Sequence, residues 1–577
     1  MKFIGIDIGG TWIKGAQVDE DFFNLQQSQR KINFPVRKVK SPLSQNGRSD
    51  ELSIVLAELV NKITGNEKKI AAIGISTAGI VNYSGTQVVK AADHLSLLRN
   101  DEWKIALEQQ FNCRVVLVND ADAAAIGLSE LGYLSGNKAI GIMPVGTGLG
   151  FSVWRNGRRW QPGKSYTLLG SINTPEGNFD SMASVSKLAG FEKNNDLIKV
   201  FTHPSFLKER NNYIRNLSKI IKSASILYTL DEVVICGGLA NAVSDSGFPL
   251  EEHLNKNLKE QSGSLNHPIK ISIVKEGNQL PLFGAMALAF GESIAFEKRN
   301  IPKYRTLDTE IPYDKKLHLD KMDTKEILES LWQAEQEAGS RLKGSLEVVG
   351  LIVDESVKRI KNGGRIIYVG SGTSGRIAAM DAVEIPCTYG FPEDRIIALI
   401  AGGISDASIE IESDFEEDAS AVPEMLLTNI NANDVVIGIS ASGAAYFVQS
   451  ALAFAKNRGA RTALVKVNSS EDKLPYCDYV IPLNSGNEVV AGSTRMKAGT
   501  ATKKVLNFLS STIMIKLGKV KGSYMVDVAC INNKLVERAL AILKILYGLE
   551  KEEAMERLSQ ADMNLNRAIE KCRLPYV

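Results

Sequence analysis

Residues 370–390 read GSGTSGRIAAMDAVEIPCTYG, and they follow a short β-branched run, Arg365–Val369 (RIIYV), that reads as a buried parallel strand. Gly370, Gly372 and Gly375 allow close backbone approach, while Ser371, Thr373 and Ser374 set hydroxyls beside the open N–H groups of the helix that follows. An anion is held well by such a turn. Glu384 places a carboxylate near the far end of the same helix, and the pairing points to chemistry on a phosphorylated small molecule. Upstream, Thr324–Asn362 has helical periodicity and stops at Gly363 and Gly364.

The arrangement recurs at Asp434–Gly443 (DVVIGISASG), where a strand ends in Ser440 and Ser442 ahead of an apolar helical segment running to Arg458. A third strand, Thr462–Val467, follows the break at Gly459. Strand, loop and helix repeating in this way predict a doubly wound parallel sheet, which binds ligands at the carboxyl ends of its strands. Two hydroxyl-rich loops at one sheet edge suit a sugar phosphate.

From about residue 308 onward the chain resembles the N-acetylmuramic acid 6-phosphate etherases, which have a sugar-isomerase (SIS) fold. The resemblance rests on 370–390, on AGG at 401–403, on GISASG at 438–443 and on NEVVAGSTRMKAGTATKKVLN at 487–507. It implies cleavage of the D-lactyl ether of N-acetylmuramic acid 6-phosphate, with Glu384 as the acid for the departing ether oxygen and no cofactor. Counting from Gly403 gives Glu412 as the second carboxylate, and counting back from Glu417 and Asp418 gives Asp414; Glu412 is preferred for its side-chain length. Arg495 and Lys497 offer cations for the phosphate or the lactyl carboxylate, and Glu488 lies in the same stretch. Sugar-isomerase domains generally share active-site residues across a homodimer. The fold family also includes glucokinase regulatory protein, which makes a non-catalytic sugar-phosphate sensor the main alternative.

The first half opens with FIGIDIGGTWIKGAQVD at 3–19, a strand and glycine turn that set Asp7 beside Gly9, Gly10 and Thr11, with Lys14 just beyond. VNDADAAAIG at 118–127 puts Asn119 and Asp120 after a strand and before a helix. VGTGLGFSVWRNG at 145–157 and VVICGGLANA at 233–242 complete an ordered set of four motifs resembling the actin-like (ribonuclease H-like) sugar kinases. The resemblance implies ATP with Mg²⁺ in its hydration shell near Asp7, terminal phosphates at Thr147, Gly148 and Gly150, and the adenosine against Gly237 and Gly238. Asp120 then takes the proton from a sugar C6 hydroxyl. Gly79, Asn119 and Asp180 are the expected sugar contacts.

The nearest subgroup is the ROK family, whose histidine and cysteine cluster for structural zinc has no counterpart in LLGSINTPEGNFDSMAS at 168–184, so zinc is not expected. Its sugar-contacting Glu-x-Gly-His becomes Leu168, Leu169, Gly170 and Ser171. These changes remove polar contacts and favour a bulkier, more apolar sugar than glucose.

At 577 residues with 44% hydrophobic content the chain has room for several domains. The expected division is a kinase at 1–295 with lobes of about 1–120 and 121–295, a polar linker at 296–321, the SIS domain at 322–532 and a small helical domain at 533–577. No internal repeat is evident beyond the two sugar-phosphate loops. Sixty-eight basic against 66 acidic residues give no reason to expect nucleic acid or an anionic membrane as partner. Six scattered cysteines without a CxxC pair suit a reducing compartment. With a phosphate hairpin starting at residue 3, no leader or DNA-reading module is expected ahead of it, nor is a run of about 18 apolar residues found. The expected protein is cytoplasmic, phosphorylating N-acetylmuramic acid and then removing its lactyl ether. An N-acetylglucosamine kinase fused to the etherase is the other enzymatic arrangement.

Overall fold

The glycine turn near the amino terminus opens a five-stranded sheet. Strand β1 (Lys2–Ile8) pairs antiparallel with β2 (Trp12–Asp19), and β2 with β3 (Arg37–Lys40), while β4 (Ile70–Thr77) and β5 (Arg114–Asn119) extend the other edge in parallel. Helix α1 (Asp120–Glu130) starts directly after β5. The second sheet repeats the plan: β6 (Ala139–Pro144), β7 (Ser152–Arg155) and β8 (Arg158–Trp160) form the antiparallel side, with β9 (Glu232–Cys236) and β10 (Lys270–Ile273) parallel beyond β6. The two strand orders are the same, β3-β2-β1-β4-β5 and β8-β7-β6-β9-β10. This repeat is one of topology, which no sequence self-similarity announces.

Helix α2 (Gly238–Ser246) follows β9, and α3 (Leu280–Glu297) closes this part of the chain. Helix α3 is apolar all round and long enough to cross a membrane, yet 78% of it is buried inside the protein. Its seating depends on small residues: a Cβ on Gly284 would lie 1.8 Å from the Ala123 carbonyl oxygen of α1, and one on Gly74 of β4 would lie 1.8 Å from that of Ala285. Glu292, Ser293 and Glu297 interrupt its apolar sequence, and its burial marks it as a core helix.

In the computed structural model, residues 46–48, 66–68, 83, 92–96, 135, 137, 147, 156–157, 161–168, 186–193, 261–268, 276, 298, 300–309, 315–316, 404–418, 468–473, 528–529, 531 and 573–577 are outside the described set. The chain forms two units, Met1–Arg299 with Ser405–Ile430, and Asn300–Ile404 with Asn431–Val577.

The second unit begins with α4 (Thr324–Arg341) and α5 (Leu346–Lys361). The single helix expected over 324–362 is thus two, broken by a 3-10 turn at Leu342–Ser345 that contains Gly344. Strand β11 (Ile366–Gly370) leads into α6 (Gly372–Tyr389) and β12 (Ile396–Ile400). After α7 (Val422–Leu427), which the first unit includes, come β13 (Val435–Ile439), α8 (Tyr446–Asn457), β14 (Arg461–Lys466), β15 (Tyr479–Pro482) and α9 (Lys497–Lys516).

The five strands are all parallel in the order β12-β11-β13-β14-β15, the doubly wound sheet that the sequence predicts. Every residue of β11, β12 and β13 is buried, which is why each reads as a continuous apolar run. Beyond α9 lie three short helices, Asn533–Tyr547, Lys551–Gln560 and Leu565–Glu570, around Leu540, Leu543, Leu558 and Leu565. Left-handed Gly548 ends the first of these and left-handed Asp562 and Met563 end the second.

Candidate active sites

Parallel pairing of β1 with β4 sets Asp7 opposite Ser76, whose hydroxyl donates to Asp7 Oδ1 at 3.1 Å. Lys14, the cross-strand partner of Asp7 on β2, brings its Nζ to 3.6 Å from Oδ2. Asp120 faces the same group from the start of α1: burial above all, then the charge of Asp7, pushes its carboxyl up to about 7, against the Ala121 N–H that it accepts. Asn119 positions it. The Asn119 amide oxygen accepts the N–H groups of Ala121 and Asp122 as the cap of α1, and its Nδ2 donates to the Gly79 carbonyl at 2.8 Å. Behind Asp120, buried Asp122 accepts the Ser152 hydroxyl at 2.8 Å and meets the Arg159 guanidinium at 2.8 Å. Asp7, Lys14, Ser76, Gly79, Asn119 and Asp120 therefore form one cluster.

The second phosphate loop is held from both sides. Gly150 N–H donates to the Pro144 carbonyl, and Leu149 N–H donates to Asp180 Oδ1 at 2.7 Å. Asp180 thus braces the loop beside Gly148. The turn after β9 lies against the same loop: Val145 N–H donates to the Cys236 carbonyl, and Leu239 N–H donates to that of Val145. Gly237 has φ +86°, and a Cβ there would meet the Val145 oxygen at 2.8 Å, so only glycine fits. Gly238 then starts α2, whose N–H groups open beside the loop. Gly9 turns the β1–β2 hairpin through its N–H to the Trp12 carbonyl, with open space around Gly10 and Thr11 at the tip. This glycine-lined backbone surface fits a nucleotide phosphate chain. Thr147 lies outside the described residues.

In the second unit, register decides the geometry. Gly370 of β11 is level with Ile439 of β13, so Ser371 and Ser440 leave neighbouring strands side by side. From there the chain departs in opposite directions, from β11 to β12 and from β13 to β14, the switch point at which such sheets bind ligands. Ser371 occupies the N-cap position of α6 without a side-chain cap hydrogen bond, and Thr373 and Ser374 stand in the first turn. Ser440 Oγ accepts the Gly443 N–H and Ser442 Oγ the Ala444 N–H, each at 3.1 Å, which turns the hydroxyl protons to donation. Gly375 lets α6 sit on the sheet, since a Cβ there would meet the Gly370 oxygen and the Ile400 side chain, each at 2.8 Å.

Glu384 is not brought to this loop within one chain. It is exposed, twelve residues beyond Gly372, a helical rise of about 18 Å. Glu412 and its rival Asp414 lie outside the described residues. Glu488 is buried and caps α9, accepting the Ala498 N–H at 2.9 Å and the Lys497 N–H at 3.3 Å, with burial pushing its carboxyl up. Lys497 is buried too, its ammonium 4.7 Å from the Tyr313 ring centroid, and burial pushes it down. Both border a cavity of about 270 Å³ walled by Leu328, Leu331 and Trp332 of α4. Arg495 is exposed.

Three partners escaped the sequence reading. Ser76 was accessible only through the strand register that pairs it with Asp7, and Asp381 and Lys503 only through the packing of α6 on α9. The Tyr368 hydroxyl donates to Asp381 Oδ2 at 3.1 Å, and Lys503 Nζ and the Ser510 hydroxyl approach Oδ1 at 3.4 and 3.3 Å.

Residues 3–167 match the ROK family, and residues 348–456 match the glucokinase regulatory protein N-terminal SIS domain. An N-acetylmuramic acid 6-phosphate etherase of Petrotoga mobilis is 44% identical over 266 residues, which is 46% of this chain and 88% of that protein. One of Geobacillus thermodenitrificans is 41% identical over 46% of this chain and 89% of its own. Among solved structures, a ROK family glucokinase from Streptomyces griseus in complex with glucose and AMPPNP covers 50% of this chain and 99% of its own at 19% identity and TM-score 0.40. A ROK hexokinase from Thermus thermophilus covers 51% and 99% at 21% identity and TM-score 0.36. The chain joins an N-terminal ROK family domain to a C-terminal half that belongs to the N-acetylmuramic acid 6-phosphate etherase family.

Proposed function

We propose that the N-terminal half transfers the γ-phosphate of ATP to O6 of N-acetylmuramic acid, and that the C-terminal half then cleaves the D-lactyl ether of that 6-phosphate. The observation that carries this reading is the 44% identity of the C-terminal half to an etherase across 88% of that protein's length. A kinase ahead of it supplies the phosphate that the two serine loops are built to hold.

In the kinase half, Asp120 accepts the proton of the sugar hydroxyl as its oxygen attacks the γ-phosphorus and the bond to ADP breaks. Lys14, held at Asp7, faces the phosphate chain. Asp7 is the residue that would hold the hydration shell of a Mg²⁺ bound with ATP, which would neutralise charge on the phosphate oxygens. In the etherase half, the aldehyde of the opened sugar acidifies the C2 proton. A carboxylate, Glu412 by preference over Asp414, removes it. The C3–O bond then breaks as Glu384 protonates the ether oxygen, D-lactate leaves, and water adds at C3 while C2 regains a proton, giving N-acetylglucosamine 6-phosphate.

The distance of Glu384 from the phosphate loop of its own chain supports a homodimer of the C-terminal half, in which Glu384 completes the site of the other copy. Met380 and Val383, 45% and 63% exposed on the same helix, give such a contact apolar surface. All six cysteines are free thiols, in keeping with a reducing, cytoplasmic setting.

The test supplies ATP, Mg²⁺ and N-acetylmuramic acid and measures D-lactate. The expected outcome is lactate from the wild type and none from either Asp120→Asn or Glu384→Ala, with the 6-phosphate restoring lactate to the first alone. No lactate from either sugar would replace the enzyme with a sugar-phosphate sensor, and lactate from the 6-phosphate alone would reassign the kinase to another sugar.

A further inference from the structure

Helices α6 and α9 run in the same direction, as the successive contacts Ile377 with Gly499, Asp381 with Lys503, and Tyr389 with Ser511 show. Asp381 lies in this seam, 2% exposed, and collects three donors: the Tyr368 hydroxyl from β11, and the Ser510 hydroxyl and Lys503 ammonium from α9. The Lys503 side chain is 29% exposed, so its ammonium is pinned at one end and meets solvent at the other. Because two hydroxyls also take up the Asp381 charge, the ammonium keeps donor capacity for a second anion; it has three protons and Asp381 Oδ1 engages it at 3.4 Å. Glu384 is one helical turn beyond Asp381, about 4.5 Å of rise.

The chemistry at Glu384 fixes which anion belongs there. The ether oxygen that Glu384 protonates is bonded to the carbon that bears the lactyl carboxylate, so a group beside that oxygen has the carboxylate as its near neighbour. The phosphate on O6 is at the other end of the sugar. We propose that Lys503 is the residue that recognises the lactyl carboxylate of the etherase substrate, and that Asp381 is the positioning residue that holds it there. The inference rests on the etherase reading and adds to it the specificity for an acidic ether.

The experiment compares the 6-phosphorylated muramic sugar with its lactamide analogue, in which the carboxylate is a neutral amide, and reads release of the side chain from each. The wild type is expected to favour the acid by about ten- to a hundredfold in KM, the range of one charge-assisted hydrogen bond. Lys503→Met removes that preference by raising KM for the acid while leaving the amide unchanged, and Lys503→Arg keeps most of it. Asp381→Asn lowers the preference through KM, and the Asp381→Asn/Lys503→Met pair does no worse on the acid than Lys503→Met alone, because the two act through one contact. A Lys503→Met enzyme that still prefers the acid as the wild type does would overturn the assignment, as would effects of the two changes that multiply. Failure of the wild type to cleave either compound would count instead against the etherase reading.

Discussion

Asp120 shows how a residue readable in the sequence acquires chemistry that is not. VNDADAAAIG announces an aspartate at a helix start, but its carboxyl is lifted to about 7 by burial and by Asp7, which lies far earlier in the chain. A helix start ordinarily favours the anion, so burial and the second carboxylate win here. The sign follows from proton counting. Between the unfolded value near 4 and the folded value of about 7 the native state holds the extra proton, so this group's contribution to stability falls as pH rises through that window. Asp120→Asn should therefore raise the melting temperature by a few degrees at pH 8 and leave it nearly unchanged at pH 4, measured by calorimetry without nucleotide. The same change should lower sugar phosphorylation by roughly 10²–10⁴-fold. In the wild type, kcat/KM for phosphorylation should fall on the acid side of about pH 7, because only the carboxylate accepts the hydroxyl proton.

At the scale of an element, α6 carries both ends of the etherase argument and keeps them apart. Its start lies in the proposed phosphate loop, while Glu384 sits about 18 Å along it. If sites form between copies, two chains defective at opposite ends of this helix should rescue each other. Ser371→Asp puts a residue favoured at helix starts in the N-cap position but sets a negative charge in the loop proposed to hold the phosphate, so that variant and Glu384→Ala should each fail to release lactate alone. Co-expressed, they should recover up to about a quarter of wild-type activity, since half of random dimers are hybrids with one intact site in two. Activity no greater than that of either variant alone would place Glu384 in the site of its own chain. The strand, loop and helix order of this region was legible because parallel strands buried on both faces leave unbroken apolar runs. The break at Leu342–Ser345 was not, because apolar residues on either side keep the helical period across it. Nor were the internal contacts of Glu488 and Lys497, which arise only once the chain folds over them.

On the scale of the whole molecule, a polar stretch at 296–321 advertises a linker, yet the first unit also includes Ser405–Ile430, from the connection between β12 and β13. Ala419, Val422, Met425, Leu426 and Leu427 are all nearly inaccessible to solvent. The Ser129 hydroxyl donates to the Leu426 carbonyl at 2.6 Å, and Trp154 Nε1 donates to that of Leu427 at 2.8 Å. Glu292, buried in α3, takes a hydrogen bond from Ser420 as well as the charge of Arg114. Sequence could not assign this segment, since a short apolar run between two strands of one sheet reads as part of that sheet's own layer. Its burial makes the kinase fold depend on residues far beyond its apparent end. Leu426→Ala in the full chain should cost about 2–5 kcal/mol of the first unit's stability, the range for a buried leucine cut to alanine. Phosphorylation should then be lost on heating several degrees below the wild type. A fragment ending at 299 should be less stable still, because it leaves Trp154 Nε1 and the Ser129 hydroxyl without these carbonyls and uncovers the apolar surface that α7 packs on. Supplying residues 405–430 by fusion to that fragment should restore its melting temperature, whereas a fragment as stable as the intact chain would show that the segment merely rests on a fold already complete.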